Sequence, residues 1–116
     1  EAVTLPQAIE DPEEAAFRQQ ALARCLIAYA SDMGLVSTAV LPHQASTNRS
    51  EIQMASLDHS LWIHRAAPLA EWLLFHKRTS TAQSSRGMVH SDFFAESGVL
   101  VASMSQEGLL RKRRSD

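Results

Sequence analysis

The sequence predicts an α+β domain in which one long helix precedes an antiparallel meander of strands. Three observations carry this reading. A capped helix start at Asp11-Pro12 leads into apolar residues at helical spacing, the second half changes to two-residue alternation from Ile52 onward, and Glu96-Ser97-Gly98 supplies a turn between the last two alternating runs.

Residues 1–10 carry no sustained period and include Pro6, so they read as a lead-in segment, with the domain proper over 11–113 and a tail over 114–116. Asp11 suits the cap of a helix, Pro12 its first position, and Glu13 and Glu14 the positive end of the dipole. Leu22, Cys25, Leu26 and Tyr29 follow helical spacing and predict the buried stripe, with Gly34 as the stop, giving a helix over Pro12 to Met33. The polar stretch Pro42 to Ser50 reads as a loop. Ile52 to Arg65 alternates, with Leu57, His59, Leu61 and Ile63 on one side and Met54, Ser56, Asp58, Ser60 and Trp62 on the other. Trp72 to Thr79, Arg86 to Ala95 and Val99 to Arg111 predict three further strands, the last two joined where Gly98 accepts a positive backbone angle.

A chain of 116 residues with 45% hydrophobic content suits one folded core. The net charge of -2 argues against a general nucleic-acid binder; Arg111-Lys112-Arg113-Arg114 is a local basic cluster, read as a solvated tail or a binding patch. Cys25 is the lone cysteine, which fits a reducing compartment, and no Cys or His spacing builds a metal set. No apolar run of about 20 residues suggests a membrane span, and the acidic N-terminal segment is unlike a signal peptide, so a cytoplasmic location is expected. The chain starts at Glu1 rather than Met, which suggests a piece of something longer.

Three polar positions stand among apolar neighbours. Asp32 lies three residues beyond Tyr29 at the end of the helix and reads either as a tuned general base or as a terminal-turn carboxylate bonded to loop backbone. Gln106 ends an inward row of Leu100, Ala102 and Met104, and such an amide either addresses a water or substrate carbonyl or satisfies a strand-end backbone group. Ser56 can hold a water through its hydroxyl, but Met54-Ala55-Ser56-Leu57-Asp58 lacks the glycines of a nucleophile elbow. Asp58-His59-Ser60 does not make a triad, because adjacent strand residues point to opposite faces. His43, His64, His76 and His90 read as ordinary polar or packing residues, whereas Arg65, Lys77, Arg78 and Arg86 are cations able to meet phosphates or to stay solvated.

Several segments in order, Tyr29-Ala30-Ser31-Asp32, Leu41-Pro42-His43, Leu57 through Arg65, Glu71-Trp72-Leu73-Leu74, Arg86-Gly87 and Leu100 through Gly108, resemble the C-terminal half of the acyl-CoA thioesterase II family. The resemblance runs from Glu13 to Arg113. It implies a hotdog fold, an antiparallel sheet wrapped around one long helix, here as an incomplete half of a double hotdog. It also implies hydrolysis of fatty acyl-CoA to fatty acid and CoA by an activated water. Asp32, Ser56 and Gln106 would be the catalytic residues, Arg65 and Arg86 would contact substrate, and neither metal nor cofactor would take part. The implied partner is an N-terminal hotdog half or further copies of the chain. Ala66-Ala67-Pro68-Leu69-Ala70 and Lys77-Arg78 depart from the family pattern, and the alternative they leave open is a non-catalytic assembly or acyl-CoA-binding module.

Overall fold

The computed structural model describes residues 11–114. The lead-in segment expected over 1–10 and the final two residues of the expected tail lie outside the described residues. Helix α1 spans Pro12–Ser31, close to the predicted bounds. The Asp11 carboxylate accepts from the Glu13 amide at 3.1 Å, and Arg18 pairs with Glu14 one turn earlier at 2.6 Å. At the other end Asp32 is the cap residue, and Gly34, with φ of 63°, turns the chain out of the helix.

The predicted buried stripe is corrected. Leu22, Cys25, Leu26 and Tyr29 are exposed, Tyr29 to 73%, while Ala23, Ile27 and Ser31 are buried and Ala30 packs against the core. The two stripes lie about 100° apart around the helix. Small side chains let the backbone approach the sheet closely, so the Ala-rich stripe faces inward and the bulkier one stays uncovered. By length and composition alone, α1 together with the following 3-10 segment, Pro12–His43, is apolar enough to cross a membrane. Ala23, Ile27 and Ala30 in that stretch nevertheless pack into the core of this domain.

Part of the expected loop is helical. A 3-10 segment, Val36–His43, follows the turn and buries Thr38, Ala39 and Val40, and a short one covers Arg49–Glu51. The longer segment seats on a notch in the sheet made by a cross-strand pair of glycines, Gly87 and Gly108. A Cβ at Gly87 would lie 2.5 Å from the Ala39 Cβ, and one at Gly108 would lie 2.5 Å from a Val36 methyl. These two positions must stay small for the segment to dock.

Among the described residues five strands form one sheet: β1 (Ile52–Ser56), β2 (Ser60–Ile63), β3 (Leu73–Gln83), β4 (Arg86–Ala95) and β5 (Leu100–Lys112). The order is β1-β5-β4-β3, with β2 continuing beside β5 from where β1 stops, and all pairings are antiparallel. Ala102, Met104 and Gln106 face inward on β5, as the alternation predicted; the row runs on to Gly108, while Leu100, expected in it, is half-buried beyond a register shift that leaves Val101 buried. Val89, Ser91 and Phe93 continue the inward face on β4. Gly98, with φ of 83°, makes the predicted turn between β4 and β5, its amide bonded to the Ala95 carbonyl at 2.8 Å. The turn between β3 and β4 instead uses Ser84 and Ser85, both at positive φ. Arg111 and Lys112 belong to β5 rather than to a loose tail.

The single strand expected over Ile52 to Arg65 is broken, and the break matters. Ser56 pairs with Gly108 and Ser60 with Ser105, so three residues, Leu57, Asp58 and His59, stand opposite two. This is a β-bulge, which resets the alternation. Ser56 and His59 thereby come to the same side, although an unbroken strand would have placed them on opposite faces. The Asp58 carboxylate supports the bulge by accepting the Glu107 amide at 2.7 Å, while the Leu57 amide donates to the Glu107 carbonyl at 3.0 Å.

Candidate functional site

Asp32, Ser56 and Gln106 meet at the junction of the α1 terminus, the bulge and the centre of β5. The Gln106 Nε2 donates to Ser56 Oγ at 2.5 Å, and Ser56 Oγ donates to Asp32 Oδ1 at 3.4 Å. Gln106 is fully buried, whereas Asp32 and Ser56 reach solvent. An open depression lies over them, lined by Asp32, Gly34, Ser37, Arg49, Met54 and Ser56. The three side chains come from elements far apart in sequence, so their meeting depends on the glycine notch that docks the chain just after α1.

The polar line continues beyond Gln106 through the exposed His59 to the buried Ser31, neither of which the sequence reading placed at the site. Gln106 Oε1 lies 2.5 Å from His59 Nδ1, and His59 Nε2 lies 2.8 Å from Ser31 Oγ. Ser31 is fully buried on α1 and also approaches the Ala28 carbonyl at 2.7 Å. The Asp58-His59-Ser60 stretch makes no triad, because Asp58 bonds to the Glu107 amide and His59 to Gln106, although the strict alternation expected there is broken by the bulge. The signal that could have found His59 is the bulge, which a strict two-residue period hides. Arg49 was likewise passed over because it sat in an expected loop.

The two cations proposed for substrate do not join this cluster. Arg65 donates to the Leu100 carbonyl at 2.8 Å, at the start of β5 and about 20 Å along the strand from Gln106. Arg86 lies 3.5 Å from Glu107, whose side chain alternates to the sheet face opposite Gln106. Lys77 is turned inward instead: its Nζ donates to the Met33 carbonyl at 2.8 Å and lies 4.4 Å from the centre of the Phe75 ring. It therefore stabilises the carbonyl-rich end of α1. Of the other histidines, His64 and His90 bond to serines across strands on the outer face. There Ser103 donates to Asp92 at 2.7 Å with His64 on its far side, so the serine hydrogen points at the carboxylate and not at the imidazole, unlike the order of a Ser-His-Asp triad.

Chemically, the line offers a carboxylate at its exposed end, a hydroxyl beside it and a primary amide held from behind. Such a set can position a water and accept its proton. Among the described residues no group of three or more His, Cys, Asp or Glu side chains is placed to hold a metal.

Comparison with known proteins identifies the family and the fold. Residues 7–109 match the family model for acyl-CoA thioesterase. The chain is 36% identical to acyl-CoA thioesterase 2 of Haemophilus influenzae over 88 residues, which are 76% of this chain and 31% of that protein. It is 40% identical to acyl-coenzyme A thioesterase 8 of Mus musculus over 75% of this chain and 27% of the relative. Among solved structures, an acyl-CoA thioesterase II from Mycobacterium marinum superposes with a TM-score of 0.74 at 38% identity, covering 82% of this chain and 37% of that one. A second mycobacterial protein, 23% identical, shares the fold with a TM-score of 0.70 and is again covered to 37%. The architecture is the hotdog fold, and the chain spans only about a third of the length of these relatives. With its sequence matched along nearly the whole length and its helix and sheet superposing on a solved member, the chain belongs to the acyl-CoA thioesterase family.

Proposed function

We propose that this chain supplies the water-activating part of an enzyme that hydrolyses fatty acyl-CoA to fatty acid and CoA. The observation that carries the reading is the continuous hydrogen-bonded line from Gln106 through Ser56 to Asp32. Water bound among these groups gives a proton to the Asp32 carboxylate as its oxygen attacks the thioester carbonyl. The tetrahedral intermediate then expels the CoA sulfur, which takes the proton back from Asp32, so the site returns unchanged. One N–H of Gln106 is committed to Ser56, and the other is the donor it has for the water. The phosphates of CoA would meet basic surface, for which Arg49 at the rim of the depression is the nearest candidate.

A second hotdog half, or another copy of this chain, would complete the pocket. Two features support a partner: among the described residues, the stripe of Leu22, Leu26, Tyr29 and Met33 on α1 is exposed and the outer edge of β3 has no neighbouring strand. The alternative, an assembly module without turnover, draws on the exposure of Asp32 and Ser56 in the isolated chain. Release of free CoA thiol from acyl-CoAs of several lengths separates the two. Hydrolysis by the naturally expressed protein, lost by about 10²-fold or more in Asp32→Asn, is expected. Undiminished turnover in that variant would remove Asp32 from the mechanism, and no turnover in the natural protein would favour the module.

A further inference from the structure

We infer that His59 is a positioning residue for this site: its Nδ1–H holds the Gln106 carbonyl oxygen, which aims the amide nitrogen at Ser56 and the water. This rests on the thioesterase reading for its functional consequence, but the contact itself rests on geometry. Proton counting along the line decides the direction of each bond. The Ser56 hydroxyl has one hydrogen, and its contact with an Asp32 carboxylate uses it. Ser56 must then accept from its other neighbour, so the atom of Gln106 facing it is the amide nitrogen, and the atom facing His59 is the oxygen. An oxygen at that place accepts only, so His59 Nδ1 carries a hydrogen. Its Nε2 is satisfied by the Ser31 hydroxyl, either accepting from it or donating to it while Ser31 turns to the Ala28 carbonyl.

The opposite orientation of the amide fails on the same count. With the amide nitrogen facing His59, its oxygen would take the Ser56 hydrogen, and Ser56 would present only lone pairs to the Asp32 carboxylate. A primary amide has no intrinsic preference between the two orientations, since its oxygen and nitrogen are nearly the same size. Val89, directly opposite Gln106 on β4, is apolar and offers its amide no side-chain choice. His59 therefore holds the amide from the oxygen side in the orientation that the Ser56 contact selects. The bulge is what makes this possible, because it turns His59 and Ser56 to the same side, on either side of the amide.

The test has two arms. In the 15N-labelled chain, long-range proton–nitrogen correlations of the imidazole report which nitrogens carry hydrogen, with His59→Ala providing the assignment. A protonated Nδ1 is expected, and a bare Nδ1 with hydrogen on Nε2 alone would overturn the proposal. In the naturally expressed protein, His59→Ala should lower kcat about 10- to 100-fold with KM changed by less than about threefold. His59→Asn, whose amide nitrogen can stand near the Nδ1 position, should recover a large part of that loss, whereas His59→Gln, which extends toward Nε2, should not. Equal activity of the Ala and Asn variants, or a fall confined to thermal stability, would leave His59 a packing residue. An unprotonated Nδ1 refutes the contact whether or not the protein hydrolyses thioesters. Absence of hydrolysis in the unsubstituted protein with Nδ1 protonated would instead count against the thioesterase reading.

Discussion

Replacing Gly108 by alanine tests whether the glycine notch places Asp32 beside Ser56 and Gln106. The new Cβ would stand 2.5 Å and 2.9 Å from the two methyls of Val36 and 3.2 Å from its Cβ. Ordinary carbon contacts begin at about 3.5 Å, so the 3-10 segment must retreat by about 1 Å. Val36 is β-branched and cannot swing both methyls aside. Gly108 does not have a positive φ, so its backbone suits alanine, and reduced freedom of the unfolded chain would by itself favour the variant by about 0.4–1 kcal/mol. Overpacking costs about 1–3 kcal/mol, so a net destabilisation of about 1–2 kcal/mol is expected in urea unfolding. Asp32 lies four residues before Val36, and its 3.4 Å contact with Ser56 has little room to lengthen before it is lost. Hydrolysis should accordingly fall by up to about 10²-fold. The companion Val36→Ala removes the methyls, and in the Gly108→Ala background it should restore part of both stability and rate, a coupling that a double-mutant cycle reads directly. A neutral or stabilised Gly108→Ala, or a loss that Val36→Ala does not relieve, would refute the docking argument.

Two further substitutions probe the supports of the site. Asp58→Ala removes the acceptor of the Glu107 amide, and a loss of about 1 kcal/mol together with faster hydrogen exchange at that amide is expected; unchanged exchange would show that the bulge stands without Asp58. Replacing Ser84-Ser85 by Asn-Gly relieves positive φ at two ordinary residues in the turn between β3 and β4, and should stabilise the chain by about 1 kcal/mol without altering hydrolysis. A destabilised variant in urea unfolding would exclude this turn reading.

Local chemistry made some of this arrangement legible. The Asp11-Pro12 cap marked the start of α1, and the period of β5 brought out Gln106, because an amide in an apolar inward row is visible in the sequence alone. His59 was hidden for a definite reason. Its facing depends on a bulge that is held by Asp58 reaching the Glu107 amide, a contact between positions 49 residues apart. The α1 stripe was misplaced for a similar reason: hydrophobicity identifies two apolar faces, but close approach to a sheet selects the smaller side chains, Ala23 and Ala30, over Leu22 and Leu26. Family resemblance supplied Asp32, whose position alone favoured a structural explanation, and Ser56, whose position alone said little.

The uncovered stripe and the open end of the polar line are neighbours, and this links assembly to the proposed chemistry. Tyr29 precedes Asp32 by three residues and Met33 follows it directly, so both flank the carboxylate at the end of α1, and both are more than half exposed. Along the line from Asp32, Gln106 and Ser31 are fully buried, while Ser56 and His59 keep contact with solvent. A surface that covers Leu22, Leu26 and Tyr29 must therefore also come up against Asp32 and Ser56. That approach would exclude bulk water from the exposed end and strengthen the electrostatic interactions of the carboxylate with its neighbours. In the proposed enzyme the partner does more than bury apolar area. It supplies the wall on the side of the carboxylate that this chain leaves open, while the alignment of Asp32, Ser56 and Gln106 is set within the chain by the bulge and the two glycines.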